Sequence, residues 1–471
     1  FLAVVLTVTF SAGFTPSAAA EQPNLLLITA DDLGVQVGCY GDSSARTPAL
    51  DALAKEGCLF ENAYVAQASC SPSRSAMFTG VYPHANGQYG LLNAGVGFRL
   101  HENLVSQTLP ALLKQAGYET GILGKLHVGP ENQFPFDTRV RVDTRDVRAT
   151  ADRAGEFFQK ASAPFFFMAN YSDPHVAGRS PRPPKEAFPT QYKGIPEEPL
   201  TDKEVAPFPF QRLEDPEQKA RVTQYYNAVT RVDYGIGLLL QKLERSGKAE
   251  NTVVIVVGDH GPPFVRGKTT CYEAGVKIPL IIRWPEQFPA GSRSASLVST
   301  VDLLPTFLSA AGLSIPPHVQ GQTLMSSLQQ ETRRKYLATE FHFHGSSPFF
   351  PRRTLRNEHY KLIHNIDAGK KSFRNSVDGD AACKLAMENP SLAPEIQEAF
   401  ERVVNPPEFE LYDLKADPWE FHNLADDPAH QKIREELTRE LLHWRKQTAD
   451  PLLTAEGYRM MKQYEQATPA N

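Results

Sequence analysis

The chain has 471 residues, 41% hydrophobic and 22% charged, the balance of a soluble globular protein and one that excludes collagen, coiled coil and general disorder. Lys and Arg total 49 against 54 Asp and Glu, a formal charge of −5, which argues against a broad nucleic-acid footprint. Such a length suggests roughly two to four domains, or one large α/β domain with an appendage, and buries a large core without disulfide or metal staples.

Residues 1–14 are nearly all apolar and are followed by Ser17-Ala18-Ala19-Ala20. This reads as a signal-peptide core with a small-residue cleavage site after Ala20. The run is too short for a transmembrane span. A start Met and basic leader are missing, so the chain is expected to be truncated at its beginning. The mature protein is expected to be exported, periplasmic or secreted, with no membrane association once the signal is removed.

Asn24–Ala30 (NLLLITA) is a buried-strand candidate ending in Asp31-Asp32. Thr47-Pro48 opens a helix that Gly57 closes, and residues 108–116 repeat that grammar before Gly117. Residues 120–123 form a short strand running into Lys125 and His127. Residues 165–170 (FFFMAN) form another, followed by Asp173-Pro174-His175. Residues 181–209, rich in Pro and charge, read as a long surface loop. A long helix is expected over 221–242, a strand over 252–257 (TVVIVV) ending in Asp259-His260, and a strand over 278–283. Further on, 359–365 and 408–413 read as half-exposed strands, and 434–448 as a closing amphipathic helix.

The early apolar runs lack polar alternation, which suits strands covered on both faces. Their alternation with helices predicts an α/β fold with a mostly parallel central sheet sandwiched by helices. A catalytic domain is expected over 21–335 and a smaller C-terminal α+β subdomain with a tail over 336–471. In such sheets ligands bind beyond the carboxyl ends of the strands, and four polar clusters follow strand ends here: Asp31-Asp32, Lys125/His127, Asp173/His175 and Asp259-His260. Five cysteines, Cys39, Cys58, Cys70, Cys271 and Cys383, are too few for a disulfide scaffold, and an odd count leaves one unpaired. Cys70 is expected to be that one; whether the other four are free or paired is open.

The most specific string is Ser69-Cys70-Ser71-Pro72-Ser73-Arg74, closed by Thr79-Gly80. A helix over 71–78 would place residue 70 at its start, where free N–H groups favour an anion. Asp31, Asp32 and Asp259 are hard oxygen ligands, which suit Ca²⁺ or Mg²⁺ rather than Zn²⁺. Lys125 and His127, two apart on an extended segment, share a face. Taken singly, each has a plainer reading: a structural Cys, capping Asp residues, a solvated Lys, a satisfied His.

Cys-x-Pro-x-Arg followed by Thr-Gly resembles the signature of the type I, formylglycine-dependent sulfatases of the alkaline-phosphatase superfamily. The resemblance implies that a formylglycine-generating maturation enzyme oxidises Cys70 to Cα-formylglycine, whose hydrate is a strong oxygen nucleophile. It implies that Asp31, Asp32, Asp259 and His260, with residue 70, bind a divalent metal, Ca²⁺ ahead of Mg²⁺. Arg74 would hold the diol or the sulfate oxygens, and Lys125 and Lys268 would bind sulfate oxygens. His127 would help break down the sulfated hemiacetal. His175, with Lys268, would protonate the leaving group. These groups together carry a net positive charge, which suits an anionic ester.

The resemblance spans most of the mature chain, including Asp417-Pro418-Trp419-Glu420 and Asn423-Leu424-Ala425. The strings Pro83-His84-x-Asn86-Gly87-x-Tyr89-Gly90-Leu91, His127-Val128-Gly129-Pro130-Glu131 and Pro135-Phe136-Asp137 are similar to those of heparan N-sulfatase (sulfamidase)-like members. His260 and Lys268 stand where those members carry Asn and Arg, so N- versus O-sulfate specificity is open. A sulfated glycan, of glycosaminoglycan type, is the expected substrate. Candidate substrate contacts are His84, Asn86, Tyr89, His342, His344, Arg352 and Arg353, as a rim of His and Arg from the subdomain. The alternatives are a phosphonate monoester hydrolase or phosphodiesterase of the same superfamily, and a glycan-binding protein with an unmodified Cys70.

Overall fold

The computed structural model describes residues 22–176, 188, 195, 198–328, 333–345, 348–370, 372–373, 377–378 and 380–465. The expected signal segment and much of the 181–209 loop lie outside the described residues. The strands, in chain order, are β1 (Asn24–Ala30), β2 (Cys58–Tyr64), β3 (Glu119–Gly124), β4 (Thr138–Val140), β5 (Phe165–Tyr171), β6 (Thr252–Gly258), β7 (Lys277–Ile278), β8 (Leu280–Arg283), β9 (Ser292–Ser299), β10 (Leu337–Phe341), β11 (Arg352–Arg356), β12 (Tyr360–Asn365) and β13 (Phe409–Asp413).

The first nine form one sheet in the order β4-β3-β5-β1-β6-β8-β2-β7, with β9 beside β2. The pairs β3/β4, β3/β5, β1/β5, β1/β6 and β2/β9 are parallel; β7 and β8 run antiparallel to their neighbours. The mostly parallel sheet expected from the apolar runs is present. The single strand expected over 278–283 is broken, because Pro279 has no N–H to give to a ladder.

Successive residues of β1 feed opposite cores. Leu25 and Leu27 pack with the helices Cys70–Thr79, Leu109–Gln115 and Leu303–Ala310. Leu26 and Ile28 pack with Pro48–Glu56, Val147–Lys160 and Pro216–Arg245. Burial on both faces is why the strand reads as continuous apolar sequence. The long helix starts earlier than its apolar periodicity indicates, because the Asp215 side chain caps it, accepting from Glu217 N and Gln218 N. Gly235, inside it, lets the helix approach the sheet: a Cβ there would lie 2.8 Å from the Tyr171 ring.

Strands β10 to β13 form a second, antiparallel sheet. Its last two strands, β12 and β13, were expected to be half-exposed, and the structure corrects this. Ile363 and Tyr412 pack under the helices Ala382–Glu388 and Pro394–Val404, while Leu362 and Leu411 pack under Gln431–Gln447. The short strands alternate faces, and each face has its own helical cover. All five cysteines are unpaired. Among the described residues, no helix is long and apolar enough to cross a membrane.

Candidate active site

Four parallel neighbours, β3, β5, β1 and β6, end on one edge of the large sheet. They deliver Lys125/His127, Asp173/His175, Asp31/Asp32 and Asp259/His260 to that edge, as the topology of a parallel sheet requires. Backbone bonds fix the strand ends: Asp31 N donates to Tyr171 O and Asp259 N to Ala30 O, each at 3.1 Å. Asp32 turns the chain at φ 69, and its N–H donates to Asp259 Oδ1 at 2.9 Å.

The helix Cys70–Thr79 is buried along its whole length, with Ser69 as its N-cap in extended conformation. Cys70 Sγ lies 3.3 Å from His260 Nε2. One turn on, the Arg74 guanidinium spreads over four elements. Its Nε donates to Asp259 Oδ2 at 2.9 Å, and its Nη1 to Lys125 O at 3.0 Å, Asn170 Oδ1 at 3.2 Å and Thr29 Oγ1 at 3.4 Å. A planar fork can serve several acceptors at once where an ammonium cannot.

Lys125 Nζ donates to Asp31 Oδ2 at 2.7 Å. Lys268 Nζ sits between Asp32 Oδ1 at 3.0 Å and Asp378 Oδ2 at 2.9 Å. Lys268 is held by a tightly folded segment in which Lys268 N donates to Pro262 O and Thr269 N to Ala68 O. Gly261 is required there, since a Cβ would lie 1.8 Å from Ala274 O.

Three carboxylates meet in a space that excludes water. Burial raises the Asp31 carboxyl, but Lys125, His175 and Arg74 outweigh it and hold the group well below the usual carboxylate range. Asp259 is held up instead, by burial and by the charge of Asp31. Burial pushes the Cys70 thiol up, and Asp31 adds to it. Ligand atoms of Asp31, Cys70, Asp259 and His260 lie within 4.8 Å of one another, as do those of Asp32, Cys70 and His175. Asp31 Oδ1 has no hydrogen-bond partner, and Asp32 Oδ1 meets the Lys268 ammonium at 3.0 Å and His260 Nε2 at 3.2 Å. His260 Nδ1 donates to Gly261 O at 2.9 Å, so Nε2 is the ring nitrogen that faces the carboxylates. An orphaned buried carboxylate oxygen among mutually repelling acids is what a divalent cation relieves, so the residues present fit one.

Above this floor lie three histidines. His127, at φ 57, is held by Glu131 Oε1, which accepts from its N–H at 2.8 Å, and its Nε2 lies 3.3 Å from Asn93 Oδ1. Its Nδ1 is buried without a partner. Burial first, then Lys125, pushes its imidazole down to about 2. His175 Nδ1 donates to Val176 O at 2.7 Å. Its turn is pinned by Asp173, which pairs with Arg145 at 3.0 Å and with Arg231, while Arg145 also donates to His175 O at 3.0 Å. His344 Nδ1 lies 2.9 Å from Ser69 Oγ, beside the start of the Cys70 helix.

The structure thus brings together Asp31, Asp32, Cys70, Arg74, Lys125, His127, His175, Asp259, His260, Lys268 and His344. It places the remaining candidates inside the fold and not on a rim. His84 is buried between Glu340 Oε2 at 2.5 Å and Thr448 O at 3.1 Å. Asn86 bonds Ser75 and Val81 O. Tyr89 packs among Phe98, His101, His342 and Tyr464. His342 bonds Gln67, Arg352 lies over the Phe350 and Phe373 rings, and Arg353 pairs with Asp450 at 2.8 Å. Polar groups in these positions are satisfied by the chain itself.

Sequence reasoning missed three contributors. Thr29 and Asn170 are register partners on β1 and β5, bonded at 2.7 Å, and both meet Arg74; a polar residue inside an otherwise apolar strand was the available signal. Asp378 lies 110 positions after its partner Lys268, in a turn with no motif to mark it.

The sulfatase family model matches residues 23–313, and one described as N-sulphoglucosamine sulphohydrolase, C-terminal, matches residues 258–374. Human N-sulphoglucosamine sulphohydrolase is 32% identical over 93% of this chain and 92% of its own length. An ulvan-active sulfatase of Formosa agariphila is 31% identical over 96% of this chain and 87% of its own. A solved structure in complex with its substrate D-glucosamine-2-N,6-O-disulfate has a TM-score of 0.65 at 23% identity, covering 91% of this chain and 99% of its own. The phosphonate monoester hydrolase of Agrobacterium radiobacter has a TM-score of 0.66 at 20% identity, covering 90% and 96%. Likeness at those identities speaks to the fold alone, so the phosphonate alternative has less behind it than the sulfatase reading.

The fold, the edge cluster and these matches define one class: the chain belongs to the sulfatase family. It is a hydrolase of sulfate esters or sulfamates, with a C-terminal region similar to that of N-sulphoglucosamine sulphohydrolases.

Proposed function

We propose that this sulfatase removes an N- or O-sulfate from a glucosamine-type residue of a sulfated glycan. The observation that carries the reading is the convergence of Cys70, three buried carboxylates and the cations Arg74, Lys125 and Lys268 at one sheet edge. The relatives named above act on N-sulphoglucosamine or ulvan, and one structural neighbour holds a glucosamine disulfate, which supports a sulfated sugar as substrate.

In this reading Cys70 is converted by a maturation enzyme to formylglycine, so that its Cβ becomes the reactive carbon and the Sγ position marks where an oxygen of the hydrate sits. The hydrated aldehyde supplies an oxygen nucleophile at neutral pH. Asp31, Asp32, Asp259 and His260 would hold Ca²⁺, with Mg²⁺ the lesser fit to that donor set, and the ion supplies charge stabilisation at the sulfuryl oxygens. Lys125 and Lys268 bind those oxygens. Arg74 holds Asp259 and the strand ends in place, so that the cluster costs no reorganisation during reaction. His127, neutral and with an unpartnered Nδ1, accepts a proton from the group at position 70. His175 carries a proton at Nε2 to the departing oxygen or nitrogen.

The catalytic machinery is assigned to a domain ending near residue 335, with Asp378 and His344 reaching in from the subdomain after it. The protein is exported by its N-terminal signal and acts outside the cytoplasm. The test is a screen of heparan-type disaccharides, N-sulfated and O-sulfated in parallel, with product sugars identified by mass spectrometry. Release of sulfate from at least one member is expected. Turnover of an aryl phosphonate or phosphodiester, with no sulfated sugar cleaved, would overturn the reading.

A further inference from the structure

Lys268 is held between two carboxylates, but the two differ in exposure. Asp32 is fully enclosed, whereas the Asp378 side chain is 21% exposed. Asp378 Oδ2 takes the Lys268 ammonium at 2.9 Å, and the side chain keeps a share of solvent exposure that Asp32 lacks. Asp378 faces the Lys268 ammonium and the imidazoles of His175 and His344.

The backbone at Asp378 is held by its neighbours in space. Asp378 sits at φ 49, a conformation that most residues avoid and Asp tolerates. Its carbonyl accepts from the buried Arg221 at 3.0 Å. Two residues on, Asp380 Oδ2 accepts from Val265 N at 2.7 Å and Gln211 Nε2 at 3.0 Å. The carboxylate is therefore fixed relative to the segment that carries Lys268. Left-handed backbone held by its surroundings points to a side chain whose position matters.

A fixed carboxylate beside a sulfate-binding cation works against the binding of an anion. The Lys268 ammonium outweighs its burial and keeps it ionised, so it is an acceptor only. It repels sulfate or carboxylate, and it gains only from a hydrogen-bond donor.

We propose that Asp378 determines specificity by reading the sugar substituent that flanks the sulfated position. Its second carboxylate oxygen accepts a hydrogen bond from a hydroxyl or amine there, and it turns away sugars that carry a second sulfate, a carboxylate or an alkyl ether at that place. This deepens the reading of the enzyme as a glycan sulfatase and rests on it. A residue that merely positioned Lys268 would affect every sulfate alike, because Lys268 contacts what all substrates share.

The test uses the mature full-length enzyme, Asp378→Asn and Asp378→Ala, and three kinds of substrate. The first pair is glucosamine N-sulfate and its 3-O-methyl ether. The second is N-acetylglucosamine 6-sulfate and its 4-O-methyl ether. The reference is 4-nitrophenyl sulfate. The parent enzyme should prefer the free hydroxyl in at least one pair by about 10- to 100-fold in kcat/KM, the worth of a hydrogen bond to a charged group. Both variants should lose most of that preference, whatever they lose on the aryl sulfate. Thermal unfolding of each variant shows that it is folded, and Asp378→Asn keeps the shape should Asp378→Ala fail. A preference ratio unchanged in both variants, or no preference in the parent, overturns the proposal alone. Turnover of 4-nitrophenyl sulfate with no sugar cleaved overturns the parent reading and this one together.

Discussion

Arg74 Nε donates to Asp259 Oδ2 at 2.9 Å across 185 positions of sequence. The contact ties the helix that begins at Cys70 to the end of β6, and the same guanidinium reaches the ends of β1, β3 and β5 through Thr29, Lys125 O and Asn170. One side chain therefore sets the spacing between the reactive position and the carboxylates.

Arg74→Lys tests that role. It keeps the charge but cannot serve acceptors on four elements. A loss of about 100-fold or more in kcat is expected, with a lower Tm because buried acceptors are left unpaired. Near-parent activity would show that charge alone suffices at this position.

Cys70 is expected to be an aldehyde in active protein. Peptide mass spectrometry of residues around 70 should find formylglycine, and Cys70→Ala should abolish turnover while changing Tm little, since a small buried group is exchanged for a smaller one. Full activity in a preparation containing only the thiol would refute the assignment.

Removing the metal should be felt in stability as well as rate. Without a cation, Asp31, Asp32 and Asp259 are buried acids with Asp259 pushed up by its neighbour. EDTA should abolish turnover and lower Tm by several degrees, with Ca²⁺ restoring both and Mg²⁺ less fully. Stoichiometric zinc in active enzyme, with neither Ca²⁺ nor Mg²⁺, would contradict the oxygen-donor reading.

The division of labour between His127 and His175 has a leaving-group test. A sugar alkoxide or amine needs a proton to depart; a nitrophenolate hardly does. His175→Ala should slow a sugar sulfate by about 100-fold or more relative to its effect on 4-nitrophenyl sulfate. His127→Ala should slow both alike, because it acts on the enzyme's own oxygen. Equal losses for His175→Ala would remove it as the acid.

His342 carries an acid sensitivity away from the site. Burial, with Arg353 next, pushes it down to about 3, against about 6.5 in the unfolded chain. Between those values the unfolded chain binds a proton that the folded one refuses. Its contribution is complete above pH about 6.5 and is lost as pH falls through that window, at roughly 1 kcal/mol per pH unit. His342→Gln retains a donor toward Gln67 Oε1, which the ring meets at 3.0 Å, and cannot titrate. Its Tm should fall less than the parent's between about pH 7 and pH 5. Parallel falls would assign the acid limb to other groups.

The sequence alone determined the parallel sheet, because strands buried on both faces must be apolar throughout and NLLLITA, FFFMAN and TVVIVV are. It also placed the polar clusters at the strand ends, since a parallel sheet delivers whatever follows its strands to one edge, and the Cys70 string marks the helix that faces it. It did not show that His84, Asn86, Tyr89, His342, Arg352 and Arg353 are buried among partners inside the fold, because a polar residue beside a motif looks the same whether it lies on a rim or meets a buried partner such as Glu340 or Asp450. The cover on β12 and β13 was likewise invisible, since two helices distant in sequence supply it. Asp378 was beyond reach for the same reason. Its pairing with Lys268 spans 110 positions and is supported by bonds from Arg221 to Asp378 O and from Val265 N to Asp380, partners that only the folded chain brings together.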